Sequence, residues 1–298
     1  MAIIKTSVQR MFNLFGFKLV NIRKEEKLKL DIDLYKRIYS EDSIKNKKFY
    51  NIGAGTFRHP YWTNIDYESD WYSGAQRKSH FINFDLFSLD KLPIPDDSAE
   101  IVYSSHTVEH INDEAAQNIF NEANRILKKG GTFRFSTPNV DLEYKAYSNG
   151  DRDYFYWIDA YSVRKNYERI KLKMPMKESS VQQVFLFHFA SSLSELVNDE
   201  SLETVSDEEI DEIFSKLDYE EALNYFTSRC PLTVQMKYPG FHMNWWNEKK
   251  AFRMLREAGF DEIYRSGFGQ SFCPVLRNTL LFDNTHPKVS LYIEATKT

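Results

Sequence analysis

The spacing of apolar and polar positions changes period several times along this chain. Ile4, Val8, Met11, Phe12, Phe15 and Leu19 recur at helical spacing, with Lys5, Arg10 and Lys18 among them. That is the pattern of an amphipathic helix with basic residues beside its apolar stripe. Charged residues around Glu41, Asp42 and Lys45 close an N-terminal helical extension read over residues 1–47. From Phe49 onward, short apolar runs alternate with helical stripes. Residues 49–52, 62–66, 81–85 and 101–103 read as strands. A helix is expected over about 112–129, with Ala116, Ile119, Phe120, Ala123, Ile126 and Leu127 on one face. Asp113 and Glu114 suit its first turn, Lys128 and Lys129 its last, and Gly130-Gly131 its end. A fifth strand follows over 132–136.

Residues 141–240 break this rhythm and read as a mostly helical insertion on the substrate side. Tyr154, Phe155, Tyr156 and Trp157 cluster there. Ser206 with Glu209, and Asp218 with Glu221, have the spacing of helix-capping pairs. The acidic run from Asp199 to Glu212 reads as a solvated helix face. A helix over 246–258 and strands over 261–265 and 291–295 then resume the β/α order. Strands alternating with helices imply an α/β fold with a mostly parallel sheet and helices on both faces. The domain reading is therefore a core of residues 48–140 and 241–298, interrupted at 141–240.

Composition narrows the classes. Hydrophobic residues make up 42% and charged residues 28%, enough apolar content to pack a core rather than stay disordered. The net charge of −4 gives no general basic bias, so a nucleic-acid partner is not expected. Two cysteines, Cys230 and Cys273, are too few for a disulfide framework or a thiolate metal site, and the chain reads as cytoplasmic. No run is long and apolar enough to span a membrane. The basic helix near the N-terminus fits either peripheral contact with an anionic membrane through residues 1–20 or docking on its own domain. Oligomeric state is not legible.

The chemistry-bearing residues stand at strand ends. Ile52-Gly53-Ala54-Gly55 follows the first strand directly, where glycine lets backbone turn sharply and approach a ligand. Asp66 ends the next strand, where a carboxylate can accept both hydroxyls of an adenosine ribose. Asp85 ends the third and is placed to accept from an adenine amino group. A dinucleotide fingerprint fits worse. Its third glycine would fall on Arg58, and Asp66 stands 13 positions after Gly53 where about 20 are expected.

With these residues in view, the stretch from Asn51 to Asn139 resembles the methyltransferase type 11 group. It looks most like a branch that begins Asn-Leu-Gly-Cys-Gly and continues Pro-Gly-Trp-x-Asn-x-Asp. Here those read Asn51-Ile52-Gly53-Ala54-Gly55 and Pro60-Tyr61-Trp62-Thr63-Asn64-Ile65-Asp66. Leu92 to Ser98, Ser104 to His110, Arg125 to Gly131, His242, Glu257 to Phe260 and Ser290 to Ala295 extend the likeness. Ala54 replaces the usual Cys, Asn139 stands where Asp is common, and the insertion is long. The resemblance implies a Rossmann-like class I fold with a seven-stranded sheet. It implies S-adenosylmethionine as cofactor, held by Ile52, Gly53, Ala54, Gly55, Asp66, Asp85 and Leu86, with His106 bordering it. Related proteins often sit among cell-surface polysaccharide genes, which points to a small-molecule or glycan substrate.

His106, Glu109 and His110 have the spacing His-x-x-Glu-His, which on a helix would put all three on one face. Alone, this is a metallopeptidase motif. Its place after the fourth strand argues for the methyltransferase reading instead, and no metal ligand is assigned, although some related O-methyltransferases bind a divalent ion at this turn. Methyl transfer to a hydroxyl needs a base, and His110 and His242 are the candidates. Arg164, Arg253 and Arg277 are candidates for an anionic substrate, and Trp157, Trp245 and Trp246 for stacking. His188, between Phe187 and Phe189, reads as a packed core residue. The competing readings are a non-catalytic binding or scaffold protein on the same fold, and a metal-dependent hydrolase.

Overall fold

The computed structural model describes residues 22–72, 81–155 and 161–298. The basic helix expected near the N-terminus, with its membrane contact, and Tyr156 and Trp157 lie outside them. The chain divides after Lys45 into two compact units. The first contains helix α1 (Ile22–Ile38) and the short α2 (Glu41–Lys45). Ser40 Oγ takes the Ser43 N–H at 3.1 Å, starting α2 with Glu41 and Asp42 in its first turn. No described helix is long and apolar enough to cross a membrane.

The second unit is built on the seven-stranded, mostly parallel sheet that the sequence implies. Its strands are β1 (Phe49–Ile52), β2 (Trp62–Asp66), β3 (Ile82–Asn83), β4 (Ala99–Ser105), β5 (Leu127–Pro138), β6 (Glu262–Ser266) and β7 (Ser290–Thr296). They lie in the order β3-β2-β1-β4-β5-β7-β6, with β7 antiparallel to both of its neighbours. β1 is buried throughout, as a parallel strand between two others should be.

Helix α3 (Asp113–Ile126) begins where Asn112 Oδ1 accepts the Ala115 N–H at 2.9 Å. Its stripe of Ala115, Ala116, Ile119, Phe120, Ala123 and Ile126 packs into the core beside the sheet. The helix stops three residues before the expected end, because Leu127 already pairs with Ala99 in the sheet. The Lys128-Lys129-Gly130-Gly131 run is thus the irregular start of β5 rather than a helix cap. Gly130 holds a φ of +79°, and a Cβ on Gly131 would lie 2.8 Å from the Lys128 carbonyl. The third strand is also shorter than expected. After Asn83 the chain turns, and Asp85 caps a 3₁₀ turn over Leu86–Ser88.

Residues 140–237 hold α4 (Val140–Ser148), α5 (Arg164–Arg169), α6 (Val181–Phe189), α7 (Asp207–Lys216), α8 (Tyr219–Thr227) and α9 (Leu232–Lys237). They surround a separate apolar cluster that includes Phe185, Phe189, Phe226 and Phe241. Ser206 caps α7 as expected, but Asp218 makes no side-chain cap at α8. The acidic run is not simply solvated: Asp199 pairs with Lys237 at 2.7 Å and Glu209 with Arg229 at 2.6 Å. Helix α10 (Glu248–Glu257) starts after the Asn247 cap, leaving Trp246 in the core against Phe120 and Phe135.

Arg134 on β5 is completely buried. Its guanidinium binds Asp283 at 2.6 Å, Glu294 of β7 at 3.0 Å and Ser266 of β6 at 2.8 Å. It therefore fastens the antiparallel edge to the segment carrying Asp283. Removing the cation leaves two buried carboxylates uncompensated. Arg134→Met is expected to cost about 3–5 kcal/mol in urea unfolding near neutral pH. Exposed Arg253→Met should stay within about 0.5 kcal/mol.

Candidate functional site

A cavity of about 580 Å³ lies at the carboxyl ends of β1, β2 and β4. Its base is the turn after β1, where Gly53 and Gly55 hold φ values of +68° and +52°. A Cβ on Gly53 would sit 2.1 Å from Thr107 Oγ1, so this turn is pressed against the segment leaving β4. At Gly55 the corresponding space is open. The Gly55 N–H donates to Asp66 Oδ2 at 2.7 Å, and the Tyr67 N–H to Oδ1 at 2.8 Å. Burial raises the Asp66 pKa, and these two donors oppose the rise only in part.

Of the residues expected at the cofactor, Gly53, Ala54, Gly55, Asp66, Asp85, Leu86 and His106 all line this cavity. Ile52 is fully buried beneath the turn and is not among the lining residues; its carbonyl accepts from Ser104 Oγ at 3.0 Å. Asp85 Oδ1 also accepts the Phe87 N–H at 2.9 Å. The sequence reading missed the opposite wall, built from Gln235, Met236, Pro239, Leu280, Leu281, Asn284 and Thr285. No spacing motif links these positions to the glycine turn. Arg58 also borders the cavity, though in the sequence it stood out only as the missing glycine.

The His-x-x-Glu-His residues do not share a helix face. His106 sits at a φ of +51°, and residues Val108–His110 form a single 3₁₀ turn. His106 Nε2 lies 2.8 Å from Ser290 Oγ and its Nδ1 lies 3.0 Å from Glu109 Oε1. Glu109 is buried at 1% exposure, while His110 borders the cavity. His110 Nδ1 donates to the Phe241 carbonyl at 2.8 Å, since a carbonyl can only accept. His242 is not among the lining residues; it packs edge-on to His110 with ring centroids 4.7 Å apart. Its Nδ1 donates to the His188 carbonyl at 2.5 Å.

Burial alone would raise the Glu109 pKa, but His106, His110 and His242 around it hold it down at about 2. Burial, helped by His110, pushes His242 down to about 3. Deeper still, His188 Nδ1 meets Glu143 at 2.8 Å. Burial raises Glu143 well above the usual carboxylate range and lowers His188 well below the usual imidazole range.

The other candidates lie elsewhere. Arg164 pairs with Glu168, Arg253 with Glu257, and Arg277 donates to the Ser271 carbonyl; none is among the cavity residues. Trp245 and Trp246 are buried, with the Lys250 ammonium 4.2 Å and 5.0 Å from their ring centroids.

Residues 55–135 match the family profile described as a methyltransferase domain. A Mycolicibacterium smegmatis protein named "Probable S-adenosylmethionine-dependent methyltransferase" is 31% identical over 75 residues. That stretch covers 25% of this chain and 28% of the relative's length. Among solved structures, an S-adenosylmethionine-dependent methyltransferase of Thermotoga maritima aligns at 13% identity and a TM-score of 0.39, covering 93% of this chain and 96% of its own. One from Mesorhizobium loti aligns at 14% and 0.38, covering 83% and 90%.

The geometry of the glycine turn separates two substitutions. Gly55→Ala is expected to cost about 1–2 kcal/mol, the left-handed backbone penalty alone. Gly53→Ala adds a collision with Thr107 and should cost more. Thermal and urea unfolding of the two variants measures the difference.

Proposed function

We propose that this chain, whose residues 55–135 match the methyltransferase-domain family, transfers a methyl group from S-adenosylmethionine to a hydroxyl of a small molecule or glycan. The observation that carries the reading is the Gly55 N–H bonded to Asp66 Oδ2 at the edge of the cavity. It holds half-buried glycine backbone and a carboxylate against the same space.

The residues present fit the cofactor. The space beside Gly55 is open, and Asp66, Asp85 and Leu86 line the same cavity, which supports Asp66 as the acceptor for the ribose hydroxyls and Asp85 with Leu86 as the adenine contact. When bound, S-adenosylmethionine supplies an electrophilic methyl group. The chain's own contribution is mainly alignment of the acceptor with that methyl. His110 takes the hydroxyl proton on Nε2, because its Nδ1–H is held by the Phe241 carbonyl. His242 backs the His110 ring and keeps it in place. The far wall mixes Met236, Pro239, Leu280 and Leu281 with the polar Gln235, Asn284 and Thr285, a surface suited to an acceptor carrying hydroxyls on a carbon frame.

Calorimetry is expected to show one equivalent of S-adenosylmethionine or S-adenosylhomocysteine bound per chain. Asp66→Asn should weaken both by roughly 10-fold or more, the worth of hydrogen bonds to a charged acceptor. The sign of the pH dependence follows from the raised Asp66 pKa. Only the ionised carboxylate accepts both hydroxyls, so affinity falls on acidification. It falls at a higher pH than an ordinary carboxylate would allow, and Asp66→Asn removes that fall. No binding of either ligand would sink the methyltransferase reading.

Mass spectrometry of nucleotide sugars and oligosaccharides incubated with enzyme and cofactor tests the acceptor. Methylation confined to nitrogen acceptors would overturn the hydroxyl assignment. His110→Ala should lower kcat by about 100-fold or more while leaving S-adenosylhomocysteine affinity in place.

A further inference from the structure

The fold brings His242 beside two donors that are neighbours in the chain, Glu109 and His110. A carboxylate oxygen of Glu109 and one ring nitrogen each of His110 and His242 all lie within 4.8 Å of one another. Glu109 Oε1 is 4.0 Å from His110 Nε2. Both imidazoles are fixed in one tautomer by main-chain carbonyls, His110 by Phe241 and His242 by His188. Each ring therefore keeps its Nδ1 proton and presents an Nε2 lone pair. This is the arrangement that metal-binding histidines require: one nitrogen donating to an outer partner, the other turned to the ion.

The carboxylate is also suited to the part. Glu109 Oε2 accepts from Thr137 Oγ1 at 3.2 Å. Glu109 Oε1 is buried, with His106 Nδ1 at 3.0 Å on one side and His110 Nε2 at 4.0 Å on the other.

We infer that Glu109, His110 and His242 form a site for a divalent transition-metal ion, Zn²⁺ by its two-imidazole, one-carboxylate chemistry, at the inner wall of the cavity. Bonds of about 2.0–2.1 Å would set tetrahedral donors roughly 3.3 Å apart, so the three side chains must draw inward on loading. His110 borders the cavity, which gives the ion a face for a fourth ligand from solvent or acceptor. This goes beyond the methyl-transfer reading and alters one part of it. In the loaded protein His110 would hold the ion instead of acting as the base, and a coordinated hydroxyl would be acidic enough to give its proton to solvent. The site is not the His106–His110 pair of the sequence motif, because His106 Nε2 is turned to Ser290.

The test needs neither cofactor nor acceptor, so its failure is distinct from failure of methyl transfer. The full chain is stripped with a chelator and titrated with Zn²⁺ alone by calorimetry. One equivalent per chain is expected. Co²⁺ in its place should give the visible absorption bands of a four-coordinate site. His242→Ala and Glu109→Gln should each weaken Zn²⁺ binding by more than about 100-fold, beyond the 10–100-fold typical of losing an outer partner. His286→Ala, outside the cluster, should leave it unchanged. Thermal melting and S-adenosylhomocysteine binding report whether each variant is folded. Wild-type protein that takes up no Zn²⁺, or folded His242→Ala that binds it as tightly as wild type, overturns the proposal.

Discussion

The site depends on how this sheet must be connected. Parallel strands cannot be joined by a hairpin, so each connection returns over the sheet and every parallel strand ends at the same edge. β1 lies between β2 and β4, and the chain leaves it first towards β2 and only later reaches β4. A crevice forms where the order reverses. The Gly53–Gly55 turn, Asp66 and the segment after β4 therefore face one space. The close fit of Gly53 against Thr107 is a consequence of that geometry, because the exits from two adjacent strands must pass each other there.

Behind the crevice, the polar groups have to be satisfied without water. Glu109 is the key member. It is ionised and buried, and three histidines surround it. Two of them are oriented by carbonyls of the chain around residues 188 and 241 rather than by each other. The helical segment therefore does more than cover the sheet. Its backbone sets which imidazole nitrogen faces inward, and its residues 235–239 form part of the cavity wall. The chemistry of the His-x-x-Glu-His turn is thus decided by residues about 80 to 130 positions away in the chain.

The far side of the cavity is fixed by another buried charge. Arg134 holds Asp283, and Asp283 lies beside the residues that complete the wall, Leu280, Leu281, Asn284 and Thr285. Asp283 itself sits at a φ of +58° and accepts the Gly269 N–H at 3.0 Å. A single guanidinium thereby joins the antiparallel edge of the sheet to a segment with little regular structure. Phe282 anchors the same segment from the other side, packed among Phe57, Trp62 and Tyr103.

The sequence alone determined what depends on local pattern. Strand and helix periodicity laid out the β/α order, because a buried face imposes its period on neighbouring residues, and the family resemblance implied the seven-stranded sheet. Gly53, Gly55, Asp66 and Asp85 were legible because strand ends fall at one edge of a parallel sheet whatever the tertiary detail. Boundaries were less legible: Lys128 to Gly131 looked like a helix end, and only pairing with β4 made them the start of β5. What tertiary structure decided was everything that needs two distant segments. Composition and spacing do not show that His242 meets His110, that His106 turns to Ser290, or that residues 280–285 close the cavity. Such contacts are set by how the helical segment and the antiparallel edge pack on the sheet, and packing joins residues by shape rather than by sequence interval.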